Sequence, residues 1–247
     1  MIRSALVLAL LVAPSLCASA APVSLVAADG VRVHGEYWPA AGKAAPLILA
    51  FHQAGASHAE YVPIAARLNR EGFSVLAIDQ RSGGGLFGAP NLTAKALGHE
   101  ASFDSALPDL EAALAWGRTH ADGAPVLAWG SSYSAALVFL LAAKHPGELQ
   151  GVLAFSPGEY LGRKDAVRTA ARTLRVPVFV DQASEPEELA ASKEILAVVP
   201  GSDKVLFAPR VAGVHGSSTL RDDRNAKGAA ENWDAVLAFL ARFKPRS

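Results

Sequence analysis

An α/β architecture built on a mostly parallel sheet is predicted by three features of the chain. Short apolar runs recur with almost no polar alternation, helical patterns lie between most of them, and two β-rich segments flank Asp29-Gly30 ahead of the first run. Strands that are apolar throughout suit a sheet covered on both faces, and alternation with helices gives right-handed crossovers between parallel neighbours. The expectation is a sheet of about eight strands, an N-terminal antiparallel hairpin followed by about six parallel strands, with helices on both faces and a short cap.

The elements follow in order. "VSLVAADGVRVHGEYW" reads as the hairpin, because two β-rich runs flank Asp29-Gly30, a strong short-range hairpin signal. The parallel strands are "PLILAF" (46–51), "FSVLAI" (73–78), "PVLAW" (125–129), "GVLAF" (151–155), "PVFV" (177–180) and "KVLFA" (204–208). Between them, "AEYVPIAARLNREG" puts Tyr61, Ile64, Ala65 and Leu68 on one helical face and stops at Gly72. "SALPDLEAALAWGRTH" aligns Leu107, Leu110 and Leu114, with Pro108 tolerable in the first turn, and "ENWDAVLAFLARF" aligns Trp233, Val236, Leu237 and Leu240. These positions read as core contacts. The segment 158–175 carries Arg163, Lys164, Arg168, Arg172 and Arg175, and reads as a solvated basic face ahead of a cap that attracts an anionic substrate.

Composition bounds the function. The chain has 247 residues, is 51% hydrophobic, and balances 23 Lys and Arg against 23 Asp and Glu, with no basic stripe interleaved with aromatics. A nucleic-acid partner is therefore not expected. At the N-terminus, Arg3 precedes the apolar stretch Ala5 to Ala13, and Ala18-Ser19-Ala20 follows, which is the order of a cleavable secretory signal over residues 1–20. That stretch is short of the roughly 20 residues that span a bilayer, so no stable membrane insertion is expected after cleavage. The rest, 21–247, reads as one domain, secreted or periplasmic. Cys17 is the only cysteine and would leave with the signal, so the mature chain is expected to hold no disulfide and no cysteine nucleophile.

The stretch "WGSSYSAAL" (129–137) places serines 131, 132 and 134 where an apolar strand gives way to a helix. In open α/β sheets this strand exit is where ligands bind. A turn that presents a nucleophile needs small residues two before and two after it. Gly130 and Ser134 satisfy that around Ser132, whereas Ser131 would have Trp129 and Tyr133, and Ser134 would already be entering the helix.

With this turn in this context, the chain resembles the α/β-hydrolase family, and within it the dienelactone-hydrolase-like and small-esterase members, over roughly residues 23–245. The resemblance implies the α/β-hydrolase fold and the order nucleophile, acid, histidine, with "PVFVDQASEPEE" and "VAGVHGSSTL" at the last two places. His215 is then the base. Family members commonly read P-V-x-V-x-G-x-x-D, which lays the acid on Glu185, preferred over Asp181, with Gln182 replacing the usual glycine. Glu187 and Glu188 can be the acidic start of a helix, favoured there by its dipole. The match of "FHQAGAS" (51–57) to the family's H-G-x loop implies an oxyanion hole from the backbone N–H groups of Gln53 and Tyr133, with His52 shaping the loop.

Gly83 to Gly88 satisfies G-x-G-x-x-G, but no helix opens behind it to hold a pyrophosphate, and "DQRSGGG" resembles a loop after the fourth strand of α/β hydrolases. No cofactor and no metal are expected; His52 and His58 lack a third nearby ligand. The leading expectation is a secreted serine hydrolase that cleaves a small-molecule carboxylic ester through an acyl-enzyme. An exported serine peptidase of the same fold, and a non-catalytic binding module, stand as alternatives.

Overall fold

The computed structural model describes residues 20–42 and 44–245. Apart from Ala20, the predicted signal segment lies outside the described residues.

The predicted hairpin is β1 (Ala21–Val26) and β2 (Arg32–Trp38), paired antiparallel with Leu25 opposite Val33. The apolar runs form β3 (Leu47–Phe51), β4 (Ser74–Ile78), β5 (Val126–Ser131), β6 (Gly151–Phe155), β7 (Val178–Asp181) and β8 (Lys204–Phe207). All eight make one sheet in the order β1-β2-β4-β3-β5-β6-β7-β8, antiparallel at β1-β2 and β2-β4 and parallel from there on. Every residue of β3 through β7 is buried, while β8 at the edge is half-buried throughout. Continuous apolar runs therefore mark the strands covered on both faces.

Among the described residues, seven α-helices cover it: α1 (Val62–Arg70), α2 (Leu92–Leu97), α3 (Leu107–His120), α4 (Tyr133–Lys144), α5 (Ala166–Ala171), α6 (Pro186–Ala197) and α7 (Ala229–Leu240). Because strand side chains alternate in direction, successive residues of one run feed two cores. Leu47, Leu49 and Phe51 join Leu110, Leu114 and most of α4 on one face; Ile48 and Ala50 join Ile64, Leu68, Trp129, Trp233 and Val236 on the other. Each such Leu, Ile, Val or Phe side chain contributes about 1.5–3 kcal/mol relative to leaving it exposed. In the cap, Arg168 makes ion pairs with Glu159, Asp165 and Glu194, so this cation is spent within the protein.

The carboxyl ends of the parallel strands all open on one edge. There the chain leaves β3 into the 52–57 loop, β5 into Ser132, β6 into Ser156, β7 into 182–185, and β8 into the loop that carries His215.

Candidate active site

Ser132 sits between β5 and α4 at φ 59°, ψ −122°, a conformation that L side chains rarely adopt. The turn is tight: a Cβ on Gly130 would lie 2.6 Å from the Ala135 nitrogen and closer still to the Ser134 carbonyl, so only glycine fits there. The Ser132 N–H donates to the Phe155 carbonyl at 2.8 Å, which anchors the turn to β6. The neighbouring serines have other partners. Ser134 donates to the His52 carbonyl at 2.6 Å and accepts from Gln80 Nε2. Ser131 donates to Glu60 Oε1 at 2.7 Å and accepts the Ser217 N–H at 2.8 Å.

His215 Nε2 lies 2.8 Å from Ser132 Oγ, and its Nδ1 lies 2.6 Å from a carboxylate oxygen of Glu188. The carboxylate on the imidazole is thus Glu188, and the expected Glu185 makes no hydrogen bond to it among the described residues. The reason is helical. Glu185 is the extended N-cap of α6 and is exposed; Pro186 starts the helix, and side chains tilt back toward a helix N-terminus. Glu188, in the first turn, reaches back over the loop, and its second oxygen accepts the Ala183 N–H at 3.2 Å. The helix-start reading of Glu188 is correct for its place in the chain and incomplete for its partner. The available signal was Pro186, which fixes the helix register.

Asp181, the alternative carboxylate, is the last residue of β7 and fully buried, with no partner for either oxygen among the described residues. Burial holds its pKa well above the ordinary range.

The electrostatics of the pair are complementary. The hydrogen bond to Glu188 is the main cause that raises His215 above 6.5, against burial, and the charges of Glu60 and Glu185 add to it. Burial works to raise Glu188, but the hydrogen bonds from His215 and from the nearby Ser156 hydroxyl hold it below its usual value. Ser156, itself at φ 53°, also accepts the Gly216 N–H at 2.9 Å, beside His215.

Of the two expected oxyanion donors, the Gln53 N–H is already engaged. It donates to Glu60 Oε2 at 2.7 Å, so a buried carboxylate holds it. Neither Tyr133 N–H, at the first residue of α4, nor the adjoining Ala54 N–H has a partner among the described residues. His52 is buried and neutral, its pKa pushed down to about 4 by burial. Its Nδ1 bonds the Gln53 carbonyl, and its Nε2 accepts the Gln80 N–H, the pattern of a side chain that shapes a loop.

The glycine run supports the same loop. Gly84 N–H donates to the Ala56 carbonyl and Leu86 N–H to the Gly55 carbonyl. A Cβ on Gly83 would lie 2.5 Å from the Ala56 oxygen and 2.7 Å from the His52 ring. These glycines allow two loops to touch. Among the described residues there is no group of three His, Cys, Asp or Glu side chains able to hold a metal. A cavity of about 820 Å³ between Val62, Arg67, Phe87 and Trp233 lies beside this edge and includes neither Ser132 nor His215.

The Hydrolase_4 family model, described as serine aminopeptidase S33, matches residues 42–190, more than half of the chain. The chain belongs to this family. The solved structures similar to this Hydrolase_4 member share its α/β-hydrolase fold at low identity. An esterase of Pyrococcus furiosus matches with TM-score 0.64 and 18% identity, covering 92% of each chain. A dienelactone hydrolase from Anabaena variabilis matches with TM-score 0.68 and 16% identity, covering 92% of this chain and 99% of the other. A thermostable carboxyl esterase from Bacillus coagulans matches with TM-score 0.68 and 13% identity, again covering 92% and 99%. No curated protein sequence matches the chain.

Proposed function

We propose that this hydrolase is an exported serine esterase acting on small carboxylic esters. The observation that carries the reading is the continuous hydrogen-bonded line from Ser132 Oγ through His215 to Glu188. With Nδ1–H held by Glu188, the lone pair of Nε2 faces the serine hydroxyl, the tautomer a general base needs. Ser132 Oγ attacks the ester carbonyl carbon as its proton passes to His215 Nε2, giving a tetrahedral oxyanion and an imidazolium paired with Glu188. His215 then delivers that proton to the departing alcohol oxygen, which leaves an acyl-serine. Water, deprotonated by His215, attacks the acyl carbon, and the proton returns to Ser132 Oγ as the acid departs.

The oxyanion is assigned to the Tyr133 N–H, with the Ala54 N–H in place of Gln53 as the second donor. Loss of one such donor costs about 2.7–4 kcal/mol in comparable enzymes. Export rests on the signal-like order of residues 1–20. Among the described residues, no helix is long and apolar enough to cross a membrane.

The family description favours a second reading, cleavage of an aminoacyl amide by the same groups. The test offers the purified mature chain p-nitrophenyl acetate and butyrate, aminoacyl p-nitroanilides and a fluorophosphonate probe, alongside Ser132→Ala. Ester turnover with labelling at Ser132 is the expected result. Anilide turnover exceeding ester turnover favours the peptidase, and a chain that neither labels nor hydrolyses overturns both.

A further inference from the structure

Beneath the site lies a second carboxylate that the scheme above does not use. Glu60 is fully buried, on the short 3-10 turn His58–Glu60 that follows the 52–57 loop. Its Oε2 accepts the Gln53 N–H at 2.7 Å, and its Oε1 accepts the Ser131 hydroxyl at 2.7 Å and Gln53 Nε2 at 3.3 Å. Ser131 in turn accepts the Ser217 N–H, two residues beyond His215, and Gln53 Nε2 also donates to Ser218 Oγ at 3.2 Å. One side chain thereby ties together the 52–57 loop, the strand end that presents Ser132, and the turn that follows His215. The fit is close: a Cβ on Gly216 would meet Ser131 Oγ.

We propose that Glu60 is a positioning residue for the reaction, holding the oxyanion loop and the histidine turn in register with Ser132 and supplying a buried negative charge to the imidazolium that forms on His215. A carboxylate in an apolar interior costs several kcal/mol unless hydrogen bonds satisfy it, and here three donors do so. By accepting the Gln53 N–H, Glu60 withdraws that amide from the reaction, while the next one on the loop, Ala54 N–H, has no partner among the described residues.

The groups that act on Glu60 come from every side. Arg221, whose Nη1 donates to the Glu60 carbonyl at 2.8 Å, and His215 favour its ionised form through space, while Tyr61 and Tyr133 lie near enough to feel its charge. Burial outweighs these attractions and pushes its pKa up to about 7. Glu60 thus exchanges its proton near pH 7. Above that range the ionised form accepts all three hydrogen bonds; below it the protonated form loses an acceptor and the charge that supports the imidazolium.

This role rests on the serine-hydrolase reading. The test compares the wild type with Glu60→Gln, which keeps the volume and one oxygen but no charge, and with Ser131→Ala, which keeps the charge but breaks the bridge to Ser217. Turnover, the rate of fluorophosphonate labelling, the pH profile of kcat/KM, and the His215 imidazole titration by NMR are read for each. In Glu60→Gln, kcat is expected to fall at least about tenfold, a fraction of the 10²–10³ that loss of one oxyanion donor costs. KM should change little, while the His215 pKa and the acid limb move to lower pH. In Ser131→Ala, kcat should fall with the His215 titration unmoved; that variant carries the test if Glu60→Gln does not fold. Wild-type kcat in the variants, or an unmoved His215 titration in Glu60→Gln, overturns the role of Glu60 alone. A wild-type chain without labelling or turnover overturns the hydrolase reading, and this role with it.

Discussion

Glu188 Oε1 stands 2.6 Å from His215 Nδ1, although Glu188 lies three residues beyond the position that the family pattern marks for the acid. The contact assigns this carboxylate the task of holding the imidazole tautomer. Glu188→Gln is expected to lower kcat by up to about 10⁴-fold, since a carboxamide presents an N–H where the imidazole needs an acceptor. Glu185→Gln should stay within a few-fold of wild type. Steady-state kinetics on an ester substrate decide between them, and equal losses would refute the assignment.

Among the three serines of the turn, only Ser132 faces His215. Ser132→Ala should lose fluorophosphonate labelling and turnover together. Ser134→Ala should still label, yet lose stability by about 1–3 kcal/mol, because the His52 carbonyl and the Gln80 amide lose a buried partner. Intact-mass spectrometry of the labelled chain and urea unfolding read the two outcomes. Labelling that survives in Ser132→Ala would move the nucleophile elsewhere.

Activity should fall on the acid side. His215 must be neutral to act as base, and its hydrogen bond to Glu188 raises its pKa above 6.5, so kcat/KM drops as pH falls through a midpoint above that value. Glu188, held below its usual range, stays ionised through this limb. A pH–rate profile in inert buffers tests it; a midpoint below 6.5 would contradict the pairing.

Gly83 allows the 80–85 segment to lie against the 52–57 loop. Gly83→Ala drives a Cβ into the Ala56 carbonyl and the His52 ring, and should cost about 1–3 kcal/mol of stability. Turnover should fall with it, because the displaced loop carries Ala54, whose N–H is the second of the two proposed oxyanion donors. A variant that unfolds at the wild-type urea concentration and retains wild-type kcat would show that the two loops do not depend on this contact.

Asp181 makes stability depend on pH. Its folded pKa is raised, so its contribution is fully present below the unfolded pKa near 3.8 and is lost as pH rises toward the folded value. Asp181→Asn removes that loss. The unfolding free energy of the variant relative to wild type should therefore improve from pH 5 to pH 8 in urea titrations, and a difference constant with pH would rule out a buried protonated carboxyl.

The strands were legible in the linear order of residues because burial on both faces leaves a local imprint: "LILAF", "VLAI" and "GVLAF" carry no polar side chain. Ser132 was legible for a similar reason, since the small neighbours that a tight turn demands lie within two residues of it. His215 followed from chain order once the fold was accepted. Each of these readings depends on contacts close in sequence or on a periodicity.

The acid, the loop amide and Glu60 depend on where separate segments meet, and no local pattern encodes that. Which of Glu185, Glu187 and Glu188 touches the imidazole is decided by the first turn of α6, whose tilt aims one carboxylate at a histidine 27 residues away. That Gln53 turns its N–H inward is decided by a carboxylate seven residues on, visible as a partner only after the chain folds back over Ser131. Pattern and turn chemistry determined the sheet and the turn that presents Ser132; packing at the carboxyl edge of the sheet decided which side chains meet it, because hydrogen-bond reach of about 3 Å is a property of space and not of spacing along the chain.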